Sequence, residues 1–516
     1  MGPKNHILKL VLLTFLLSFQ ANLIIGQTSL KAIDLEKGKL TVGFRHYVAS
    51  DSTRTYKRVY DWNTQSIPRP IPISIWYPAI QIPDEKEPLT ILDYMAILKE
   101  EEEWEYLPNE QILNWFYYPN TVANQNHLGE ETTAYLKLEP ANGKFPVIVY
   151  APSYQASSIE NFALCEYLAS HGYIVIASPS RGTENRFLEG ATDKDMETQA
   201  RDIEFLIQEL LKSPNVEIDQ IATMGFSFGG LSNVLSQMRN DYIKAIVSLD
   251  GSIKYQYATL KKSPFFNLTK VDVPFIHMAQ NDIPEQVLKE DKIKAELNTE
   301  FEFYDSISNS SAYQLKFHHL THSYFSTLGV LFQERDPRQD KSYAEIMESY
   351  KLVSRYTLNF LNAFLKKEVN ALQFLARNPA ENGIGKGLLT VRSKKPQAQG
   401  LNFNDFNVLA AKQNYLKLDS LYAAAMEKYP TLELPEGKLN NLGLQLVFNP
   451  KTASQGINVF LLALKIYPNS ANLFDSLAEA YLFIGDKEKA IVNFEKSLTL
   501  DSGNQNAIHR LGQLRQ

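Results

Sequence analysis

One cysteine, Cys165, stands alone in 516 residues. No intramolecular disulfide can therefore brace the chain, and no cysteine lies near the N-terminus to carry a lipid. Set among helix formers, Cys165 reads as a small buried hydrophobe. A basic excess is missing too: 52 Lys and Arg face 58 Asp and Glu, for a net charge of −6. Nothing in that balance gathers phosphates, so nucleic acid is not an expected partner. The N-terminal apolar run, Leu10 to Phe19, is short. As a helix it would reach only about 15 Å, against the roughly 30 Å of a bilayer core. Lys4 and Lys9 precede it, and Gln20 and Asn22 interrupt the weaker patch that follows. Residues 1–27 thus read as a signal peptide cleaved near Gly26 or Gln27, which implies export to a periplasmic or extracellular space and no transmembrane span in the mature chain. An uncleaved anchor is the alternative, because a clean small-x-small cleavage pattern is absent.

What the chain does have is material for a core. With 44% hydrophobic residues and 21% charged, the composition is globular, and the length calls for two or three folded units. Strand periodicity opens at Leu40–Tyr47 and Ile71–Tyr77, where Ile71, Ile73 and Ile75 share a face. Residues 84–139 differ: the acidic run Glu100–Glu103 and the aromatics Trp104, Tyr106, Trp115, Phe116, Tyr117 and Tyr118 suggest a lid-like helical insertion. Such aromatics suit an apolar acyl group over a cleft, and equally a packed helical insert.

From Phe145 the pattern alternates between apolar runs and helical stretches, which predicts an α/β domain with a mostly parallel sheet and helices on both faces. The expected strands are Pro146–Tyr150, Tyr173–Ala177, Gln220–Met224, Ala245–Leu249 and Pro274–Met278; helices are expected at Glu160–Ser170, Lys194–Lys212, Gly230–Gln237 and Ser342–Lys366. The domain spans residues 28–377. Residues 378–404 collect Pro, Gly, Lys and Gln without an apolar period and read as a linker.

Residues 405–516 are helical by period. Phe460, Ala463 and Pro468 recur 34 residues later as Phe494, Ser497 and Ser502. Between Asn472 and Ser502, the positions Phe474, Leu477, Ala478, Tyr481, Ala490, Phe494 and Ser497 resemble the helix contacts of the tetratricopeptide repeat. An earlier copy carries one extra residue at its Asn449-Pro450 turn. The resemblance implies either a groove for a protein partner or a structural appendage.

The chemistry centres on Gly225-Phe226-Ser227-Phe228-Gly229-Gly230. A predicted strand precedes it and a predicted helix follows. A serine held at that sharp turn needs glycine two positions away on either side, and its hydroxyl is then projected into a cleft. The helix N-terminus favours a developing oxyanion, for which the Phe228 N–H is the first donor. Serine needs a base. Downstream of Ser227 the histidines are His277, inside a predicted strand, His509, in the terminal helix, and the cluster His318, His319 and His322. No carboxylate recurs at ligand spacing around the cluster, so a metal site is not expected. Candidate acids are Asp250 and Asp282, each just past a strand.

Four stretches carry a resemblance to the platelet-activating factor acetylhydrolase and dienelactone hydrolase branch of the α/β-hydrolases: Trp76-Tyr77-Pro78, Leu168-Ala169-Ser170-His171-Gly172-Tyr173-Ile174-Val175, the Gly225 bend, and Ser248-Leu249-Asp250-Gly251. Together they span about residues 40 to 330. In that family a Phe follows the histidine by three residues, which implies His322, matched by Phe325. The acetylhydrolase pattern favours Asp250 as the acid, while most α/β-hydrolases keep theirs where Asp282 lies. The family's His-Gly-x-Gly loop is replaced by Pro152-Ser153-Tyr154-Gln155, so the second oxyanion donor implied by the resemblance is the Tyr154 N–H, on a loop without glycine. The expectation is a serine hydrolase of short acyl or lipid-like carboxylic esters, with a small-molecule substrate and no cofactor. A peptidase or lactonase on the same residues, and a weakly catalytic scaffold whose repeats bind protein, are the alternatives.

Overall fold

The computed structural model describes residues 28–60, 65–80, 86–290, 292–332, 339–396 and 401–515. The signal-peptide expectation for residues 1–27 lies outside them. Contacts divide the chain into two compact units, Met1–Gln397 and Ala398–Gln516. Among the described residues no helix is long and apolar enough to cross a membrane.

The first unit is built on one sheet. Its strands are β1 (Thr41–Tyr56), β2 (Ile67–Ala79), β3 (Ala134–Leu136), β4 (Phe145–Ala151), β5 (Ile174–Ala177), β6 (Val216–Phe226), β7 (Ile243–Leu249), β8 (Phe275–Ala279), β9 (Ala312–Phe317) and β10 (Leu389–Lys394). They lie in the order β10-β9-β8-β7-β6-β4-β5-β2-β1-β3. The run from β5 through β4, β6, β7 and β8 to β9 is parallel. The flanks turn antiparallel, where β2 meets β5 and β1 on one side and β10 meets β9 on the other.

Parallel strands need crossovers, and the helices that make them cover both faces. The main ones in this unit are α1 (Ile91–Glu101), α2 (Phe162–Ser170), α3 (Asp193–Leu210), α4 (Phe228–Arg239), α5 (Glu285–Glu290) and α6 (Tyr343–Phe364). Side-chain alternation sorts each strand between two cores. Ile148 and Tyr150 of β4 join Trp76 and the helices α1, α2 and α6 on one face. Val147, Val149 and Ala151 join Ile71, Ile73 and Tyr77 with α3 and α4 on the other. The shared face expected for Ile71, Ile73 and Ile75 is thus the α3/α4 face, with Ile75 packed at its margin.

One expectation needs correction. The stretch 378–404 is not a bare linker: Leu389–Lys394 forms β10, in register with Phe317–Ala312. Only Leu389 of that strand is buried, because an edge strand keeps one face and one backbone side in water. Its apolar signal is therefore too short to register as a period. The insertion 84–139 is packed in part, while Tyr106, Trp115 and Tyr117 are exposed. Ile91, Tyr94, Met95, Leu98, Ile112 and Leu113 enter the core beside Phe44, Trp76 and Phe162. Its far corner is pinned by the buried Glu101 carboxylate, which accepts from the Ser158 N–H at 2.9 Å and from the Ser157 hydroxyl. Trp104 and Trp115 meet edge to face, their ring centroids 4.6 Å apart.

A buried ion cluster ties β2 to α3. The Asp202 carboxylate accepts from Arg69 at 2.6 and 3.1 Å, and Arg54 lies 2.6 Å away. Arg69 is 1% exposed, so its charge has no recourse to water. Asp202→Ala leaves Arg54 with Asp51 and the buried Arg69 charge with only the backbone carbonyls of Arg181, Gly182 and Thr183, and is expected to lower unfolding stability by about 3–5 kcal/mol, read as a fall in the urea midpoint at constant slope.

The second unit is all helical: α7 (Phe403–Lys412), α8 (Leu418–Lys428), α9 (Glu436–Val447), α10 (Ala453–Ile466), α11 (Ala471–Phe483), α12 (Lys487–Leu500) and α13 (Gln505–Leu514). Short turns join successive helices into packed hairpins. Leu477, Ala478, Ala490, Phe494 and Ser497 are buried, and Phe474 and Tyr481 half-buried. A Cβ on Gly443 would lie 2.7 Å from the Phe460 ring. That glycine therefore sets how closely α9 and α10 approach.

Candidate active site

The bend after β6 is made by close packing. A Cβ on Gly229 would lie 2.0 Å from the Ala151 carbonyl oxygen, and one on Gly225 would lie 2.4 Å from the Gly229 backbone. Neither position admits a side chain. Ser227, between them, sits at φ 52°, a left-handed value that costs a non-glycine residue on the order of 1–3 kcal/mol. Surrounding hydrogen bonds hold it there: its N–H donates to the Leu249 carbonyl at 3.1 Å, and its carbonyl accepts from Gly230 at 3.0 Å and Ser252 at 2.7 Å.

The hydroxyl so presented meets an imidazole. His322 Nε2 lies 2.9 Å from Ser227 Oγ, and His322 Nδ1 lies 2.6 Å from Asp250 Oδ2. His322 opens a short 3-10 turn, His322–Phe325, after β9, and its ring leans on Phe226 at 5.0 Å. Asp250 follows β7, fully buried. Its other oxygen accepts from the Gln280 N–H at 3.0 Å. Burial alone would raise the Asp250 carboxyl; the hydrogen bond and charge of His322 outweigh it and bring the group below its ordinary value. A carboxylate held in that form orients an imidazole and stabilises an imidazolium.

The other sequence candidates lie elsewhere. Asp282 is largely exposed and paired with Lys316. His277 is buried, bonded to Ser248 Oγ at 2.9 Å, and burial pulls it down to about 3. His318 pairs its backbone N–H with Leu388 next to β10.

The two expected oxyanion donors are neighbours. The Tyr154 ring packs edge-on to the Phe228 ring at 5.9 Å. Among the described residues, neither the Tyr154 nor the Phe228 backbone N–H has an acceptor. The loop lacks glycine, and side chains shape it instead. Glu160 Oε2 accepts from the Ser153 N–H at 2.9 Å and from the Tyr150 hydroxyl at 3.1 Å, while Oε1 takes the Ser153 hydroxyl. Gln199 donates to the Pro152 carbonyl at 2.9 Å. Burial pushes the Glu160 carboxyl up, and these hydrogen bonds reverse only part of the rise. Glu160 is a positioning residue that sequence reasoning missed. Its signal was a carboxylate just before the mostly apolar run Phe162–Ala169, which carries a second one, Glu166.

Comparison with known proteins follows this geometry. Residues 133–325 match the Dienelactone hydrolase family. The matched stretch lies within the first unit. No curated protein matches the chain significantly. Among solved structures, a ferulic acid esterase from Streptomyces cinnamoneus is similar over 65% of this chain and 93% of that one, with 17% identity and a TM-score of 0.47. The matched segment contains Ser227, His322 and Asp250, together with the loop that Glu160 braces.

Removing an oxyanion donor costs roughly 10²–10³ in rate. Loosening one should cost less. Glu160→Ala is accordingly expected to lower kcat by about 10- to 100-fold with KM little changed, measured by steady-state kinetics on a phenyl ester.

Proposed function

We propose that the chain is an exported serine hydrolase that cleaves carboxylic esters through an acyl-enzyme. One observation carries the reading: the hydrogen-bonded sequence Ser227 Oγ, His322 Nε2, His322 Nδ1, Asp250 Oδ2, at 2.9 and 2.6 Å. Match to the dienelactone family over residues 133–325 adds support. Ser227 attacks the acyl carbon while His322 takes its proton; Asp250 fixes the tautomer and stabilises the imidazolium. The Phe228 and Tyr154 N–H groups receive the charge on the tetrahedral oxygen. His322 then returns the proton to the departing alcohol, and water repeats the sequence on the acyl-enzyme. Every step uses side chains and backbone of this chain, so no cofactor is invoked.

Export rests on the leader-like composition of residues 1–27. The C-terminal helices are read as a short tetratricopeptide-like stack on the 34-residue recurrence and the burial of Ala478, Ala490 and Phe494. A protein partner on that stack is part of the proposal.

A fluorophosphonate probe tests the nucleophile. The expected result is one covalent adduct per chain, located by peptide mapping on Ser227. An adduct on another residue, or none, rejects the reading.

A further inference from the structure

Beside His322 the first unit holds a cavity of about 680 Å³. Ser252, Tyr255, Gln280 and His322 line it together with the apolar Ile283, Val287, Ile293 and Leu297. Of these, His322 bonds the Ser227 hydroxyl at 2.9 Å and the Ser252 N–H donates to the Ser227 carbonyl at 2.7 Å. In the wall stands Lys254, on the turn Ser252–Lys254 that follows Asp250.

Lys254 is 4% exposed, yet among the described residues its ammonium makes no hydrogen bond or ion pair. The Tyr255 ring lies beside it, with its centroid 5.6 Å from Nζ. The carboxylates around it are engaged elsewhere: Asp250 with His322 and Gln280, Asp282 with Lys316. A buried, unpaired cation is costly, and chains that keep one generally supply it with an anion. The remaining lining has the same sign. Lys292 and Lys294 border the cavity, and its one carboxylate among the described residues, Glu302, is paired with Lys261 at 2.9 Å. Burial draws the Lys254 ammonium below its usual value, and the Asp250 and Asp282 charges offset part of that effect.

The side of the ester that this cavity receives follows from proton transfer. The imidazole that takes the Ser227 proton must deliver it to the alcohol oxygen, so the alcohol departs on the His322 side, where the cavity lies. We propose that Lys254 binds a carboxylate carried on the alcohol portion of the substrate, an aromatic or short aliphatic hydroxy acid whose hydroxyl is acylated. This rests on the serine-hydrolase reading above. In the reaction the Ser227 Oγ–acyl bond forms, the acyl–O(alcohol) bond breaks, and the proton passes through His322 to the departing oxygen. The hydroxy acid leaves with its carboxylate unchanged, and water releases the acyl group.

The test compares 4-acetoxybenzoate with its methyl ester, each kcat/KM divided by the rate of hydroxide-catalysed hydrolysis of the same compound. The wild-type chain is expected to prefer the carboxylate by about tenfold or more, the scale of one charge-assisted contact out of water. Lys254→Met should bring that ratio to within about twofold of unity, while Lys254→Arg keeps most of it. As a second measurement, 4-hydroxybenzoate should inhibit the wild type competitively and better than 4-hydroxybenzamide, and this difference should vanish in Lys254→Met. Labelling of Ser227 by the fluorophosphonate reports on the underlying site in every variant. If Ser227 labels and the wild type shows no preference, or Lys254→Met retains it, the lysine assignment is overturned alone. If Ser227 does not label in the wild type, the hydrolase reading fails and the lysine assignment with it.

Discussion

Replacing Ser227 by alanine is expected to lower kcat on a phenyl ester by a factor on the order of 10⁵ to 10⁶, the loss seen when a serine nucleophile is removed from an otherwise intact site. Folding should persist, because the bend does not depend on the hydroxyl. It is set by contacts of Gly225 and Gly229 that admit no Cβ and by backbone hydrogen bonds of residue 227 to Leu249, Gly230 and Ser252. An alanine at φ 52° carries the same strain as the serine it replaces. The thermal midpoint should therefore stay close to that of the wild type, and circular dichroism checks this alongside the kinetics. The residual rate should still exceed that in water, because the Phe228 and Tyr154 N–H groups and the binding pocket remain. A variant that keeps a tenth of the wild-type kcat would remove Ser227 from the chemistry.

The bend was legible in the sequence because its cause is local. Two glycines and a serine between a strand run and a helix run encode a turn that few other residues can make. The inner parallel strands were legible for a related reason: buried on both faces, they read as unbroken apolar runs such as Val147–Tyr150. Outside that rule, β1 and β2 showed through alternation, while β9 and β10 were lost. Gln314 and Lys316 interrupt β9, and β10 offers little beyond Leu389 and Val391, since an edge strand buries little. The aromatics of the insertion 84–139 do not share one role: Trp104 packs on Tyr60 and Trp115, Tyr118 packs on Phe332, and Tyr106 and Tyr117 are exposed. Glu160 and Lys254 were invisible for a deeper reason. A single carboxylate or lysine in sequence is nearly always solvated; only the fold shows that Glu160 braces the loop 152–155 and that Lys254 faces a cavity without a counter-charge.

The choice between acids was open for the same reason: Asp250 and Asp282 both follow strands of one parallel sheet, and only three dimensions tell which faces the imidazole. Asp250→Asn is expected to reduce kcat by about 10⁴-fold. The buried carboxylate accepts the His322 Nδ1–H at 2.6 Å, which leaves Nε2 unprotonated and able to take the Ser227 proton. An asparagine amide can donate to Nδ1 instead, and the imidazole then carries its hydrogen on Nε2, facing a hydroxyl it can no longer deprotonate. The folded carboxyl also lies below its ordinary value. Its contribution to stability is therefore present above the unfolded carboxyl value and is lost as pH falls through the lower folded value. At neutral pH the asparagine variant forfeits that contribution, and below both values the two proteins should converge in unfolding stability. Asp282→Asn removes only an exposed pair with Lys316, worth ~0–1 kcal/mol of stability, and should leave kcat within about twofold. Equal losses in the two variants would mean that the imidazole is oriented by neither carboxylate alone. A loss confined to Asp282→Asn would place the acid at the end of β8, and with it would require a different ring position for His322.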